Sequence, residues 1–327
     1  MKKIINNPDD VVTDMLLGME KSNPDLYYSK GLGVISRKSQ TDKVGVVSGG
    51  GAGHEPSHAG YVGDGMLDAA VVGNVFASPS PDRIIEGIKR ANTGQGVLMV
   101  IMNYSGDTMN FQMAGELAEM EGIETELVIV KDDVAIPDSD LSSGRRGIAG
   151  TVLVNKIAGA KAKKGATLAE VKAIAEKANR NVRSMGMAMT PCILPKVGKP
   201  GFSIPDDEME IGMGIHGEPG VNRVKILSAE SLAERFVDDI LNDYDYTNSE
   251  VAVMVNSLGG TPLMELYILF NEIEKILSAK NITIYTSFVG NYMTSFEMAG
   301  CSLSLLKLDD ELKDLLDDTC HTPALKI

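Results

Sequence analysis

Apolar residues recur along the chain in two alternating rhythms. Val11, Val12, Met15, Leu16 and Met19 return at helical spacing. Asn7-Pro8 ahead of them predicts an N-cap with proline at the first helical position. At Lys43 the pattern changes to a short apolar strand, KVGVVS, which runs into the glycines at 49–51. Ser80-Pro81 opens a helix that turns Ile84, Ile85 and Ile88 inward. A strand over 96–102 follows, then a turn from Asn103 to Asp107, a helix stopped by Gly122, and a strand at 126–130. Thr167 and Glu170 have capping-box spacing for a helix to about Asn181. Strands of five to seven residues alternating with helices predict an α/β protein, its sheet mixed or parallel and flanked by helices.

The segment TPCILPKVGKPGFSIPD, with four prolines between Pro191 and Pro205, breaks this rhythm. It reads as the neighbourhood of a domain boundary, or else as a long loop within one domain. Beyond it MEIGMGI leads to His216, VAVMVNSL leads to Gly259-Gly260-Thr261-Pro262 and a helix, and NITIYTSF leads to Gly290. A chain of 327 residues can fill two cores. Two α/β domains are expected, residues 1–183 with the glycine loop and Asp107, and residues 184–327 with His216. VIMNYSGDTMNF and VMVNSLGGTPLM both run strand, Asn, glycine turn, helix, an echo too thin to count as a repeat.

Charge narrows the choice of partners. There are 31 basic and 45 acidic side chains, a formal net charge of −14. An acidic surface repels phosphate backbones and anionic lipid heads, so neither nucleic acid nor membrane is an expected partner. The apolar run GVLMVIM is strand-sized, and MKKIINNPDD lacks the apolar stretch of a signal peptide. Cys192, Cys301 and Cys320 are few, odd in number and far apart, as expected of reduced thiols in a cytoplasmic protein.

Candidate chemistry concentrates at the ends of strands. In Ser48-Gly49-Gly50-Gly51-Ala52-Gly53-His54 the glycines let backbone N–H groups approach a small polar ligand. The loop is not a Walker A sequence, and in G-x-G-x-x-G register the last position falls on His54 or Pro56. No nucleotide cofactor is therefore expected on this chain. His54-Glu55-Pro56-Ser57-His58 spells H-E-x-x-H, whose zinc chemistry requires both histidines on one helical face. Pro56 and the leading glycines oppose that helix, so no metal is expected. His216 follows a strand, with Glu218 two residues on to orient it, and a neutral imidazole is a competent nucleophile. Asp107 stands where a strand turns into a helix, a place that suits a cap and a proton acceptor equally.

Taken together, SGGGAGHEPSHAGYVG, NYSGDTMNF, GMGIHGEPG, GRRGIAGTVLVNKIAGA, NVRSMGMAMTPC, GGTPLMELYI, VGNYMTSFEMAG and CHTPAL resemble the K subunit of the bacterial dihydroxyacetone kinases. They resemble equally the K domain of single-chain relatives, in family order and spacing over essentially the whole chain. The resemblance implies that His216 adds to the ketone carbon of dihydroxyacetone as a reversible hemiaminal. It implies that Asp107 takes the proton of the terminal hydroxyl and that His54 is a second catalytic histidine. The backbone of Gly51, Ala52, Gly53 and His54 would cradle the hydroxyls. Two positions depart from the family pattern: Ala52 replaces a common serine, and Met102 replaces a lysine near the substrate. Implied partners are an L subunit carrying ADP or ATP with magnesium, an M subunit of the phosphotransferase system that recharges it, and a second copy of this chain. Two other readings stay open: a ketose-binding transcriptional co-activator, which needs His216 but not Asp107, and a kinase subunit for a related ketose such as erythrulose.

Overall fold

The computed structural model describes residues 2–137 and 144–327, and the chain forms two compact α/β units. The first comprises Met1–Val130, Thr151–Asn179 and Leu312–Ile327; the second comprises Lys131–Gly150 and Arg180–Glu311. A boundary between residues 183 and 184 falls inside a strand of the second unit, Val182–Ala188. The four-proline stretch is a long connection within that unit, not its border.

The first unit runs α1 (Val11–Ser22), β1 (Leu26–Ser29), β2 (Val34–Arg37), β3 (Gly45–Ala52), β4 (Ala69–Val75), α2 (Pro81–Ala91), β5 (Val97–Met102), α3 (Ser105–Met120), β6 (Thr125–Val130), α4 (Thr151–Lys163) and α5 (Leu168–Asn181). Its six-stranded sheet has the order β1-β2-β4-β3-β5-β6. The four strands from β4 to β6 are parallel, while β1 and β2 pair antiparallel. Alternation along β5 sends Val97, Met99 and Ile101 into a core with Ile84 and Ile88 of α2 and Phe111, Ala114 and Ala118 of α3. On α4, which packs against β3 and β5, buried Lys156 donates to the carbonyl of Leu315 at 2.6 Å and ties in the last segment of the chain.

Local signals mark some helix starts. Ser80 precedes α2 with Pro81 at its first position, and the backbone N–H of Thr167 donates to Glu170 at 2.8 Å in the expected capping box. The opening helix starts later than Asn7-Pro8 suggests. Asn7 instead closes a turn by accepting from the N–H of Asp10 at 3.0 Å, and α1 begins at Val11.

The second unit holds β7 (Val182–Ala188), β8 (Glu208–Ile211), β9 (Asn222–Lys225), α6 (Ala229–Asp243), β10 (Glu250–Ser257), α7 (Leu263–Ala279), β11 (Thr283–Gly290) and β12 (Gly300–Leu308), with α8 (Asp310–Asp317) leading back to the first. Its sheet order is β11-β10-β12-β7-β8-β9, with only β10 and β11 parallel among the described pairs. Both sheets are therefore mixed. Phe236 and Ile240 of α6 and Leu269 and Ile273 of α7 cover Val253, Leu303 and Leu305. Phe236→Ala should cost this unit about 3–5 kcal/mol, because the ring is fully buried and its loss leaves a cavity. Met264→Ala, on the exposed side of α7, should stay within about 0.5 kcal/mol. Denaturant titration followed by second-unit reporters tests the contrast.

Candidate functional site

Strand β3 lies between β4 and β5, parallel to both; the chain passes from β3 to β4 on one side and from β5 to β6 on the other, so the order reverses between the C-terminal ends of β3 and β5. Open α/β sheets bind ligands at such ends. Here β3 carries Gly49, Gly50 and Gly51, and its register against β4 slips between Gly50 and Ala52. A Cβ on Gly49 would strike the carbonyl of Val71 and stand 3.0 Å from the ring of Phe111. One on Gly51 would stand 2.6 Å from the backbone nitrogen of Ala77. At Gly50 the chain gives way to polar groups: the two carboxylate oxygens of Asp107 and Nε2 of His58 all lie 3.7–3.9 Å from the point a Cβ would occupy.

Asp107 belongs to the first turn of α3, one step further into the helix than the expected turn, and is buried. The positive end of the helix dipole favours a negative charge there. Phe111, one turn on, packs beneath Gly49 and fixes the helix against the strand. The His54 ring is fully buried and stacks on Phe76, with centroids 5.0 Å apart and planes 13° from parallel. Gly53, at φ +109°, donates its N–H to Glu55 at 3.0 Å. Burial raises the Glu55 carboxyl above its ordinary value. Residues 55–58 form turns, followed by a single 3₁₀ turn at Ala59–Tyr61. The H-E-x-x-H letters thus do not lie on a helical face, and each histidine has a separate environment.

His58, which sequence reasoning weighed only as a zinc ligand, is the residue it missed. The side chain is buried, with Nδ1 3.0 Å from the hydroxyl oxygen of Ser48 on β3. That hydroxyl donates its one proton to the carbonyl of Val100 at 2.6 Å. Ser48 must then accept, so Nδ1 carries the imidazole proton and Nε2 carries the lone pair. Among the described residues no group hydrogen-bonds Nε2. Burial also pushes the pKa of His58 down to about 4, so the ring is neutral near pH 7. The signal in the sequence was Ser48, the last polar residue before the glycines.

His216 is in the second unit, in a turn after β8. Its Nδ1 lies 2.9 Å from Oε1 of Glu218, and its backbone N–H donates to Oε2 at 3.0 Å. Burial alone would raise the Glu218 carboxyl, but the hydrogen bond and charge of His216 win and hold it down to about 2. An ionised Glu218 accepts a hydrogen bond from Nδ1–H, which keeps the proton on Nδ1 and leaves the lone pair on Nε2, the form a nucleophile needs. Gly214 permits this closure, since a Cβ there would meet Glu218 and stand 2.5 Å from the guanidinium of Arg146. Arg146 is itself held by Asp133 at 2.8 Å and by the carbonyl of Gly212 at 2.7 Å. Asp107, His54 and the Gly51–Gly53 backbone belong to the first unit. Ala52 ends β3 and Met102 ends β5, both buried. Among the described residues no cluster of His, Cys, Asp or Glu is placed to hold a metal, and no helix is long and apolar enough to cross a membrane.

Residues 17–324 match the Dak1 domain. The chain belongs to the Dak1 family. Over 314 residues, 95% of each chain, this Dak1 protein is 51% identical to the dihydroxyacetone-binding subunit DhaK of PTS-dependent dihydroxyacetone kinase 1 from Listeria innocua. The crystal structure of the dihydroxyacetone kinase of C. freundii aligns with a TM-score of 0.92 at 35% identity, covering 99% of this chain and 60% of that one. The dihydroxyacetone kinase operon co-activator Dha-DhaQ aligns with a TM-score of 0.90 at 34% identity, over 95% and 96% of the two chains. The α/β architecture read from the sequence agrees with these structures.

The His58 environment sets a pH dependence. Its folded pKa lies below its unfolded value, so between about 6.5 and 4 the unfolded chain binds the extra proton. Stability contributed by this group should be intact above that window and fall as pH drops through it. NMR titration should show His58 with a midpoint of about 4, and His58→Gln should flatten the acid limb of the stability curve.

Proposed function

We propose that this chain is the substrate-binding subunit of a phosphotransferase-system-dependent dihydroxyacetone kinase. The observation that carries the reading is the His216–Glu218 pair, an imidazole set in its nucleophilic tautomer by an ionised carboxylate. Nε2 of His216 bonds to the ketone carbon of dihydroxyacetone as the C=O π pair moves onto oxygen, the alkoxide so formed takes up a proton from solvent, and ionised Glu218 balances the positive charge left on the ring. The product of this step is a hemiaminal. A terminal hydroxyl then attacks phosphorus, its proton passing to Asp107 as the bond from phosphorus to the donor nucleotide breaks. His54, held by its stack on Phe76, and the backbone of Gly51, Ala52 and Gly53 hold the substrate hydroxyls. Magnesium and ADP or ATP belong to an L subunit, which an M subunit of the phosphotransferase system recharges, and the chain works in the cytoplasm as a homodimer. Phosphoryl transfer relies on metal clamps and in-line positioning, for which no phosphate loop is present in this sequence.

A co-activator role is the second reading, favoured by the likeness to Dha-DhaQ. Asp107 speaks for the kinase, because a sensor that only captures a ketose has no use for a carboxylate at the start of α3. The apolar Met102 bears instead on which ketose is preferred, with erythrulose the four-carbon alternative.

Reconstitution with an L subunit tests these roles. Asp107→Asn should keep ketose binding and lose roughly 10²–10⁴-fold in turnover, as removal of a general base does. His216→Ala should lose covalent capture and discriminate poorly between dihydroxyacetone and glycerol, since only a carbonyl carbon accepts the imidazole nitrogen. Full turnover by Asp107→Asn would favour the co-activator. A crystal soak in which dihydroxyacetone lies unbonded, with His216 turned away, would remove the hemiaminal.

A further inference from the structure

His58 has no part in the roles proposed above, yet its Nε2 converges with the Asp107 carboxylate on the point above Gly50. Both groups there are acceptors. The Ser48 proton is committed to Val100, and the Nδ1 proton is committed to Ser48. A ligand group entering between a carboxylate and a bare ring nitrogen must therefore bring its own proton, or leave the buried Nε2 of His58 unsatisfied.

We propose that His58 is a further substrate-binding residue, whose Nε2 accepts a hydrogen bond from a substrate hydroxyl at the point shared with Asp107 and so selects the free hydroxyl over its phosphate ester. This inference rests on the ketose-kinase reading above. A terminal hydroxyl of dihydroxyacetone supplies the proton that Nε2 of His58 lacks. During transfer the O–H bond breaks toward Asp107, the new O–P bond forms, and the P–O bond to the donor breaks. His58 takes no proton, because burial keeps the imidazole weakly basic. The ester oxygen that results has no proton left. It and its anionic phosphate then face a carboxylate and a lone pair, an arrangement that favours departure of the product. His58 acts in binding the substrate hydroxyl and in rejecting the product; Ser48 is a positioning residue that fixes the tautomer.

The test uses the full chain with its L subunit, dihydroxyacetone as substrate and dihydroxyacetone phosphate as inhibitor. His58→Ala should raise KM for dihydroxyacetone roughly 2–10-fold, the loss of one hydrogen bond, with little change in kcat. The inhibition constant for dihydroxyacetone phosphate should fall, so that its ratio to KM drops. Ser48→Ala should lower the same ratio by freeing His58 to protonate Nε2, whereas a loosened fold would weaken both ligands together. Nitrogen-15 spectra of the histidine-labelled wild type need no variant: Nε2 of His58 should be unprotonated at pH 7 and shift on adding dihydroxyacetone, while exposed His321 stays unmoved. A protonated Nε2, or an unchanged ratio in folded variants of an active enzyme, overturns the role of His58 alone. Absence of both binding and turnover in the wild type overturns the ketose reading, and this inference with it.

Discussion

The first unit depends on how closely the chain is allowed to approach the end of β3. Three glycines in succession remove the side chains that would hold α3 and the turn at Phe76-Ala77 away. Phe111 then slides beneath Gly49, which draws the start of α3 down and brings Asp107 over Gly50. The same closeness fixes Phe76 where it stacks on His54. A side chain at Gly49 or Gly51 would push apart the groups that make the site, so the glycines act through the packing they permit as much as through their own flexibility.

Two histidines are set in the same tautomer by different means. At His216 an ionised carboxylate accepts a hydrogen bond from Nδ1–H, and its charge stabilises the ring when it becomes positive. At His58 a neutral hydroxyl does so, anchored to a backbone carbonyl that cannot turn. The first arrangement suits a ring that must gain charge, because a nearby carboxylate stabilises the cation. The second suits a ring that must stay neutral, because burial penalises the cation and lowers the affinity of the ring for a proton. A carboxylate beside one imidazole and a serine beside the other separate a nucleophile from an acceptor within one chain.

Much of the architecture was legible as rhythm. KVGVVS, GVLMVIM and VAVMVNSL are fully buried parallel or central strands, which read as continuous apolar runs. What the rhythm does not carry is which strands share a sheet, and strands such as β7 and β12 pair from more than a hundred residues apart. Strand β12, GCSLSLLKL, looks half-exposed, yet Ser302 and Ser304 are buried because Asn256 and Ser184 donate to them. Strands β1 and β2 have four residues each, too short for a period to stand out. The His216–Glu218 pair was visible because both residues sit in one turn after one strand. His58 was hidden because its partner Ser48 lies ten residues back, and because the H-E-x-x-H spelling directed attention to a helix that does not form.

The division of the chain has a consequence for its birth on the ribosome. The first unit is closed by its last segment, residues 312–327: the N–H of His321 donates to the carbonyl of Asp64, and Gly63 and Gly65 lie so near His321 and Thr319 that a Cβ on either would meet their carbonyls. Between Val130 and Leu312 the whole of the second unit emerges. At translation speeds of about 5–20 residues per second, the glycine-loop unit waits roughly ten to forty seconds for its last segment. The later-encoded unit can therefore finish first. Until residues 312–327 emerge, the earlier unit stays open, with apolar surface that chaperones and proteases recognise, so this late segment serves as the seal on an early-encoded unit.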